Sequence, residues 1–157
     1  MVLWLGKPRF KLHAVVNRQA QLVNFLLTAG NVADNNHQLL SYLLKDVEGK
    51  VYGDKGYLST LKEALLEKGT DLVAKMRRNG KKDALVHQKD AYYHRHRGLI
   101  ETIFGQWVDL IDLEHTPHRS PINYLCNVFA APLAYTFMDQ HPHIIAFEDQ
   151  NRLLTAA

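Results

Sequence analysis

Cysteine is nearly absent from this sequence of 157 residues, in which Cys126 stands alone. A single cysteine excludes an intramolecular disulfide and any zinc site built from several thiolates. Cys126 falls within the apolar run from Tyr124 to Ala131. We therefore expect it to be a buried structural thiol rather than a reactive one.

Long apolar runs are also missing. No run reaches the roughly 18 residues that a membrane-spanning helix needs, and the apolar start of the chain is too short for the core of a signal peptide. The lack of both features predicts a cytoplasmic protein with no membrane contact. The chain is nevertheless 46% apolar and 22% charged, a balance that predicts one domain with a hydrophobic core and excludes wholesale disorder.

Basic residues exceed acidic ones only slightly, and the formal net charge is +3. Their distribution is uneven, because three short clusters hold many of the basic and histidine side chains. Such clusters are typical of surfaces that bind phosphate groups, although a solvated loop surface accounts for them equally well. The clusters are Lys75, Arg77, Arg78, Lys81 and Lys82; His94, Arg95, His96 and Arg97; and His115, His118 and Arg119.

The spacing of apolar residues predicts the secondary structure of the first half of the chain. Alternation with period 2, a polar turn and a second apolar run predict a β-hairpin. Two segments with helical spacing follow, and each precedes a short strand. The order strand, strand, helix, strand, helix, strand is typical of an α/β fold whose sheet is covered by helices. The segments are 10–16, 22–27, 35–47, 50–54, 60–68 and 72–76.

Two longer helices are predicted in the second half. Apolar residues keep helical spacing over residues 92–111. Ser120 and Pro121 are then suited to the N-cap and first position of a last helix. Pro132 lies inside that helix, where a proline costs about 3 kcal/mol or more unless the helix kinks. The pattern fades after this helix, so we interpret residues 138–157 as a C-terminal tail.

An aspartate between glycines follows the strand that is predicted near residue 50. The segment Gly53-Asp54-Lys55-Gly56-Tyr57 places Asp54 at the carboxyl end of a strand, which is where open α/β sheets bind their ligands. Its glycines permit a sharp turn and the close approach of a substrate. The alternative is an Asx turn, in which Asp54 only accepts hydrogen bonds from the backbone.

A second acidic candidate lies on the helix predicted over residues 92–111. Arg97 and Glu101 are four residues apart and would share a helix face, so a surface ion pair is the simplest interpretation. If Glu101 instead met Asp54 across the fold, the two carboxylates could hold Mg²⁺ or Mn²⁺, which catalyse phosphodiester cleavage. Any α/β protein has such residues, so both interpretations stay open on chemistry alone.

Seven segments together resemble the transposases of bacterial insertion sequences, in the branch whose catalytic domain carries an Asp-Asp-Glu triad on a ribonuclease H-like fold. They occur in the family's order and span about residues 9–137. The Gly-Asp-Lys-Gly-Tyr segment is quite specific in combination with the others. The segments are Phe10-Lys11-Leu12-His13, Leu27-Thr28-Ala29-Gly30-Asn31-Val32, Gly53-Asp54-Lys55-Gly56-Tyr57, Lys75-Met76-Arg77-Arg78-Asn79, Arg97 to Glu101, His118-Arg119-Ser120 and Leu133-Ala134-Tyr135-Thr136-Phe137.

The resemblance implies an α/β, ribonuclease H-like mixed sheet with flanking helices over residues 1–137. It also implies an enzyme that cleaves and joins DNA phosphodiesters at the ends of a mobile element. Asp54 would be the second aspartate and Glu101 the glutamate, both as ligands of Mg²⁺ or Mn²⁺, and Arg97 matches an arginine of the family motif. DNA is the implied partner, and self-association is left open. The implied DNA-contacting residues are Lys75, Arg77, Arg78, Lys81, Lys82, Arg97, His118 and Arg119.

Four departures from the family pattern limit the activity that we expect. The first aspartate should lie on a strand before Phe10, yet residues 1–9 contain no acid. His94 replaces an expected tyrosine, Val108 replaces an expected lysine, and Pro132 interrupts a helix. We therefore expect a catalytic domain that is incomplete at its N-terminus, holds metal weakly and does not catalyse transposition alone. The alternative is a non-catalytic remnant that binds DNA or a partner protein.

Overall fold

The computed structural model describes residues 2–5, 10–53, 61–74, 88–111 and 119–146. Strands and helices follow one another in the predicted order, which confirms an α/β chain, and one unpredicted strand precedes them. The elements are β1 (Val2–Leu5), β2 (Phe10–Val16), β3 (Leu22–Ala29), α1 (His37–Leu43), β4 (Gly49–Gly53), α2 (Lys62–Glu67), β5 (Thr70–Ala74), α3 (Gln88–Arg95), a 3-10 turn (His96–Gly98), α4 (Leu99–Ile111) and α5 (Pro121–Thr136).

The strands β1, β2 and β3 form an antiparallel sheet with β2 in the middle. The predicted hairpin is confirmed, and Phe10 pairs with Ala29 at its open end. Asn17 organises the turn, because its Oδ1 accepts hydrogen bonds from the backbone N–H groups of Gln19 at 3.0 Å and Gln21 at 2.9 Å. An asparagine side chain that imitates a backbone turn explains why the chain reverses here without a glycine.

The strands β4 and β5 form a parallel pair, joined by α2. Gly49 and Gly69 have φ values of 92° and 88°, where any other residue would be strained. The N–H of Gly49 donates to the carbonyl of Gly69 at 2.8 Å, which aligns the starts of the two strands. Antiparallel and parallel pairing both occur, as expected of a mixed sheet, but among the described residues they lie in two separate sheets.

Both faces of β2 are buried. Its even-numbered residues belong to the main core, whereas Lys11 and His13 on the other face are 7% and 0% exposed. Lys11 Nζ donates to Asp34 Oδ1 at 2.9 Å, and His13 Nε2 shares a hydrogen bond with Thr28 Oγ1 at 2.9 Å. These contacts allow polar side chains to be buried at alternate positions of an interior strand.

The helix predicted over residues 92–111 is divided in two, so the prediction of one continuous helix is wrong. The 3-10 turn His96–Gly98 separates α3 from α4. Gly98, the last residue of the turn, has a poor helix propensity, and short 3-10 turns commonly connect helices. Arg97 therefore lies in the connecting turn, while Glu101 lies in the first turn of α4.

The main core lies between the antiparallel sheet and the helices α4 and α5. Trp107 of α4 and Tyr135 of α5 are each 1% exposed, and their ring centroids are 5.8 Å apart in an edge-to-face arrangement. The hydroxyl of Tyr135 donates to the carbonyl of Ala20 at 2.8 Å, which fastens α5 to the hairpin turn. A smaller cluster joins α1 to α2 and the parallel sheet; it contains Leu40, Leu44, Leu65 and Leu72.

The last helix, α5, differs from what the sequence predicts in two respects. It continues through Pro132, which is buried inside it. Cys126 is exposed, so the prediction of a buried thiol is wrong, because this residue lies on the side of α5 that faces away from the core. Ser120 occupies the N-cap as predicted, but its side chain makes no capping hydrogen bond within the described helix. Neither α5 nor any other described helix is long and apolar enough to cross a bilayer.

The segment that follows α5 has no helix or strand as far as residue 146, yet it is attached to the domain. The N–H of Ile144 donates to the carbonyl of Arg18 at 2.8 Å. The ring of His141 lies edge-on against Tyr135, with a centroid distance of 4.5 Å. Together these contacts hold the segment against the hairpin turn and the end of α5.

Candidate active site

A cavity of about 930 Å³ lies between the two sheets. The end of β2, α1, β4, the 3-10 turn and the start of α4 all contribute to its lining. Much of the wall is apolar and polar side chains are among the lining residues, which is the usual character of a ligand site. We call the polar and aromatic side chains that β4, α3, the 3-10 turn and α4 contribute the polar edge of the cavity: Lys50, Tyr52, Tyr93, His96, Arg97 and Glu101.

The end of β4 and the start of α4 reach the same cavity. Gly53, the last residue of β4, lines it together with Arg97 and Glu101. Glu101 is exposed, and its Oε2 lies 3.9 Å from the position that a Cβ would take at Gly98. Its carboxylate lies in the first helical turn, where the helix dipole favours negative charge. The fold therefore brings Glu101 to the same space as the residue that precedes Asp54.

Several predicted site residues lie outside the described part of the chain, and their roles stay predictions. Of the predicted DNA-contacting residues, Arg97 and Arg119 are described and both are exposed, Arg119 just before α5. The predicted site residues outside the described ranges are Asp54, Lys75, Arg77, Arg78, Lys81, Lys82 and His118.

Asp90 of α3 ties that helix to β4 at the polar edge of the cavity. Its carboxylate accepts hydrogen bonds from Lys50 Nζ at 2.8 and 2.7 Å and from the hydroxyl of Tyr52 at 2.8 Å. Burial, together with this hydrogen bond, raises the pKa of the Tyr52 phenol well above its ordinary value. The rings of Tyr52 and Tyr93 have centroids 5.6 Å apart. These contacts fix α3 on β4 and so position the turn that carries Arg97.

Sequence reasoning missed the contacts of Asp90 with Lys50 and Tyr52. The alternation of β4 places Lys50 and Tyr52 on one strand face, and this was the only local signal available. Asp90 lies 40 residues after Lys50 and 38 after Tyr52. No helical or strand spacing relates residues so far apart, so only the folded chain identifies the partner.

Asp46, Glu48 and Glu101 are the acidic side chains among the described residues that line the cavity. They do not converge, because no three His, Cys, Asp or Glu side chains in the described ranges are grouped to hold a metal ion. Asp34 pairs with Lys11 Nζ at 2.9 Å. The described part of the site therefore presents separate carboxylates, of which Glu101 lines the same cavity as Gly53 at the end of β4.

Comparison with known proteins identifies one family. The family model described as transposase DDE domain matches residues 4–121. The match covers most of the chain, includes Gly53, Arg97 and Glu101, and ends at the first residue of α5. No curated protein and no solved structure matches the chain.

Proposed function

The chain belongs to the transposase DDE domain family, and we propose that the cavity between its two sheets is where it binds metal ions and a DNA phosphate. In this proposal Asp54 and Glu101 are metal ligands, and Arg97 contacts the phosphate. The observation that carries the proposal is the shared cavity, since Gly53, next to Asp54, and Glu101 both line it. Strand ends of this kind are the usual ligand sites of α/β proteins.

The donor chemistry is suited to Mg²⁺ or Mn²⁺. Mg²⁺ prefers oxygen ligands and keeps several waters, so one or two carboxylates are enough to bind it loosely. Glu101 offers an exposed carboxylate, and Asp54 would offer the second. When bound, such ions activate the attacking oxygen of a phosphodiester reaction and stabilise the leaving one. Because the proposal names only these two carboxylates as ligands, we expect weak binding.

We propose that Arg97 contacts the DNA backbone. Its exposed side chain lines the cavity with Glu101, and a guanidinium binds phosphate through two parallel hydrogen bonds. Phosphate contacts position a duplex without reading its sequence. A cytoplasmic location is part of the same proposal, because the bacterial transposases that the sequence resembles act on DNA in that compartment. The remaining contacts in this proposal are Lys75, Arg77, Arg78, Lys81, Lys82, His118 and Arg119.

We further propose that the two sheets belong to one ribonuclease H-like unit. Support comes from the order of the elements, in which an antiparallel hairpin precedes a parallel strand-helix-strand unit. The cavity between the sheets would then lie inside the catalytic domain rather than between independent units.

Metal binding tests the two ligands. Mn²⁺ affinity, measured by electron paramagnetic resonance, should fall about tenfold or more in Asp54→Asn and in Glu101→Gln. Glu63→Gln removes an exposed carboxylate from α2 and should leave the affinity unchanged. Wild-type affinity in both site variants would show that the metal, if it binds, is held elsewhere.

DNA cleavage separates a catalytic site from a remnant that only binds DNA. Only two metal ligands are named in the proposal, whereas an in-line displacement uses a pair of ions, so the second reading stays open. With DNA that carries the element ends and with Mn²⁺, we expect binding but no strand transfer by this chain alone. Cleavage that disappears in Asp54→Ala would overturn that expectation and show that a further ligand completes the site.

A further inference from the structure

The outward side of α5 carries a row of exposed apolar residues that we call the outward stripe. Four of its members are large, and they are 72%, 44%, 61% and 80% exposed in chain order. Exposed apolar patches of this kind usually mark interaction surfaces. The stripe lies wholly beyond the segment that the transposase family matches. Its members are Ile122, Cys126, Phe129, Leu133 and Phe137.

The outward stripe lies opposite the side of α5 that packs on the core. At about 100° per residue, the two rows lie roughly half a turn apart around the helix axis. A helix on the surface of a monomer normally has a polar outer face, whereas a helix that is apolar on both sides is normally buried. The core row is Tyr124, Val128, Ala131 and Tyr135.

Charge is absent from α5. The helix Pro121–Thr136 contains no Lys, Arg, Asp or Glu, although the whole chain is 22% charged. Depletion of charged residues is the compositional mark of the centre of a protein interface. A surface without charge offers nothing to select an oppositely charged partner and nothing to repel a copy of itself.

The spacing of the stripe also suits pairing with an identical helix. Its members recur at intervals of four, three, four and four residues, which is close to the repeat that interlocks two helices. Two identical stripes can meet around a two-fold axis, in which each copy offers the same surface to the other.

The neighbouring strand β3 enlarges the surface. Phe25 lies against Phe129 with ring centroids 5.9 Å apart. Together with the stripe, Phe25 would give an interface near the lower limit of size for specific interfaces. Interfaces at the small end of the range are usually transient, so we expect a reversible dimer.

We propose that α5 is a dimerisation surface, on which two copies of the chain pack their outward stripes together. The proposal rests on the exposure, spacing and lack of charge of this helix. It is independent of the metal and DNA site proposed above, because no residue of the stripe lines that cavity.

Measurement of mass against concentration tests the dimer. Sedimentation equilibrium on the full chain should show a rise from 18.0 kDa towards twice that mass as concentration increases through the micromolar range. Leu133→Glu should keep the chain monomeric, because a carboxylate in the centre of an apolar interface is strongly unfavourable. Ala134→Glu adds the same charge to the next residue, which is exposed but outside the stripe, and should dimerise like the wild type.

The single cysteine gives a second readout without any substitution. Cys126 lies in the stripe, so its alkylation should be several-fold slower in the dimer than in the monomer and should accelerate on dilution. In Leu133→Glu it should be fast at every concentration. Circular dichroism confirms that each variant is folded. A wild-type chain that stays monomeric, or an assembly that Leu133→Glu leaves intact, overturns the proposal.

Discussion

Two buried tyrosines on the core side of α5 differ in one hydrogen bond. Tyr135 is 1% exposed, and its hydroxyl donates to the carbonyl of Ala20 at 2.8 Å. Tyr124 is 5% exposed, and its hydroxyl has no hydrogen-bond partner among the described residues. The changes Tyr135→Phe and Tyr124→Phe remove the same atom from the same side of one helix, so each is a matched control for the other.

We expect Tyr135→Phe to lower the free energy of unfolding by about 1–2 kcal/mol, because it removes a hydrogen bond of about 1 kcal/mol and leaves a buried carbonyl without that donor. Ala20, which carries this carbonyl, is fully buried. Tyr124→Phe removes no hydrogen bond and eliminates a buried hydroxyl without a partner. Its stability should therefore change by less than about 0.5 kcal/mol, or rise slightly.

Urea unfolding, followed by far-ultraviolet circular dichroism, measures both changes. With about 1–3 kcal/mol of stability lost per molar urea, Tyr135→Phe should lower the midpoint by roughly 0.3–2 M. Tryptophan fluorescence, to which Trp107 beside the ring of Tyr135 contributes, provides a second probe of the same transition. Equal midpoint shifts in the two variants, or a larger loss in Tyr124→Phe, would refute the reasoning.

Three further predictions concern titration and DNA binding. Burial lowers the pKa of His13 from 6.5 to about 4. As the pH drops through that interval, the unfolded chain takes up a proton before the folded chain does, so the free energy of unfolding should fall by at most about 1.4 kcal/mol per pH unit. Urea unfolding at several pH values should show a smaller fall in His13→Gln. Asp90→Asn should lower the raised pKa of Tyr52 without restoring its ordinary value, because burial is the larger cause; an unchanged ultraviolet titration would contradict the observed hydrogen bond. Arg97→Gln should reduce the slope of log K for DNA against log salt by roughly 0.9. Arg95→Gln changes an exposed residue outside the cavity lining and should leave the slope unchanged. Equal slopes in the two variants would show that Arg97 does not contact DNA.

The candidate site shows how far local patterns reach. The sequence predicted a strand ending near Asp54 and a helical position for Glu101, and the structure has β4 ending at Gly53 and Glu101 in the first turn of α4. The end of β4, the start of α4 and Arg97 line one cavity, and this arrangement depends on the packing of α3 against β4. The contacts of Lys50 and Tyr52 with Asp90 stabilise this packing, but the sequence does not indicate that Asp90 is their partner because it lies far along the chain.

The sequence by itself determined the elements whose stabilising contacts are local. Alternating apolar residues and the turn at Asn17 specify the β2–β3 hairpin, because their hydrogen bonds join residues at most four apart in the turn. Asn36 begins α1 by accepting hydrogen bonds from the N–H groups of Gln38 and Leu39. Such contacts form within one turn of chain, so the residue types alone carry the information.

Only the tertiary structure decided which side chains are buried and where some elements end. The helix predicted as far as residue 47 ends at Leu43, and the hydroxyl of Thr70 donates to the carbonyl of Val47 beyond it. Lys11 is buried because Asp34 lies 23 residues away in sequence but 2.9 Å away in space. Cys126 is exposed because the core takes the opposite side of α5. Burial depends on which surfaces meet after the chain has folded. A pattern of apolar residues indicates that a surface is more stable when covered, but it does not indicate which other surface covers it.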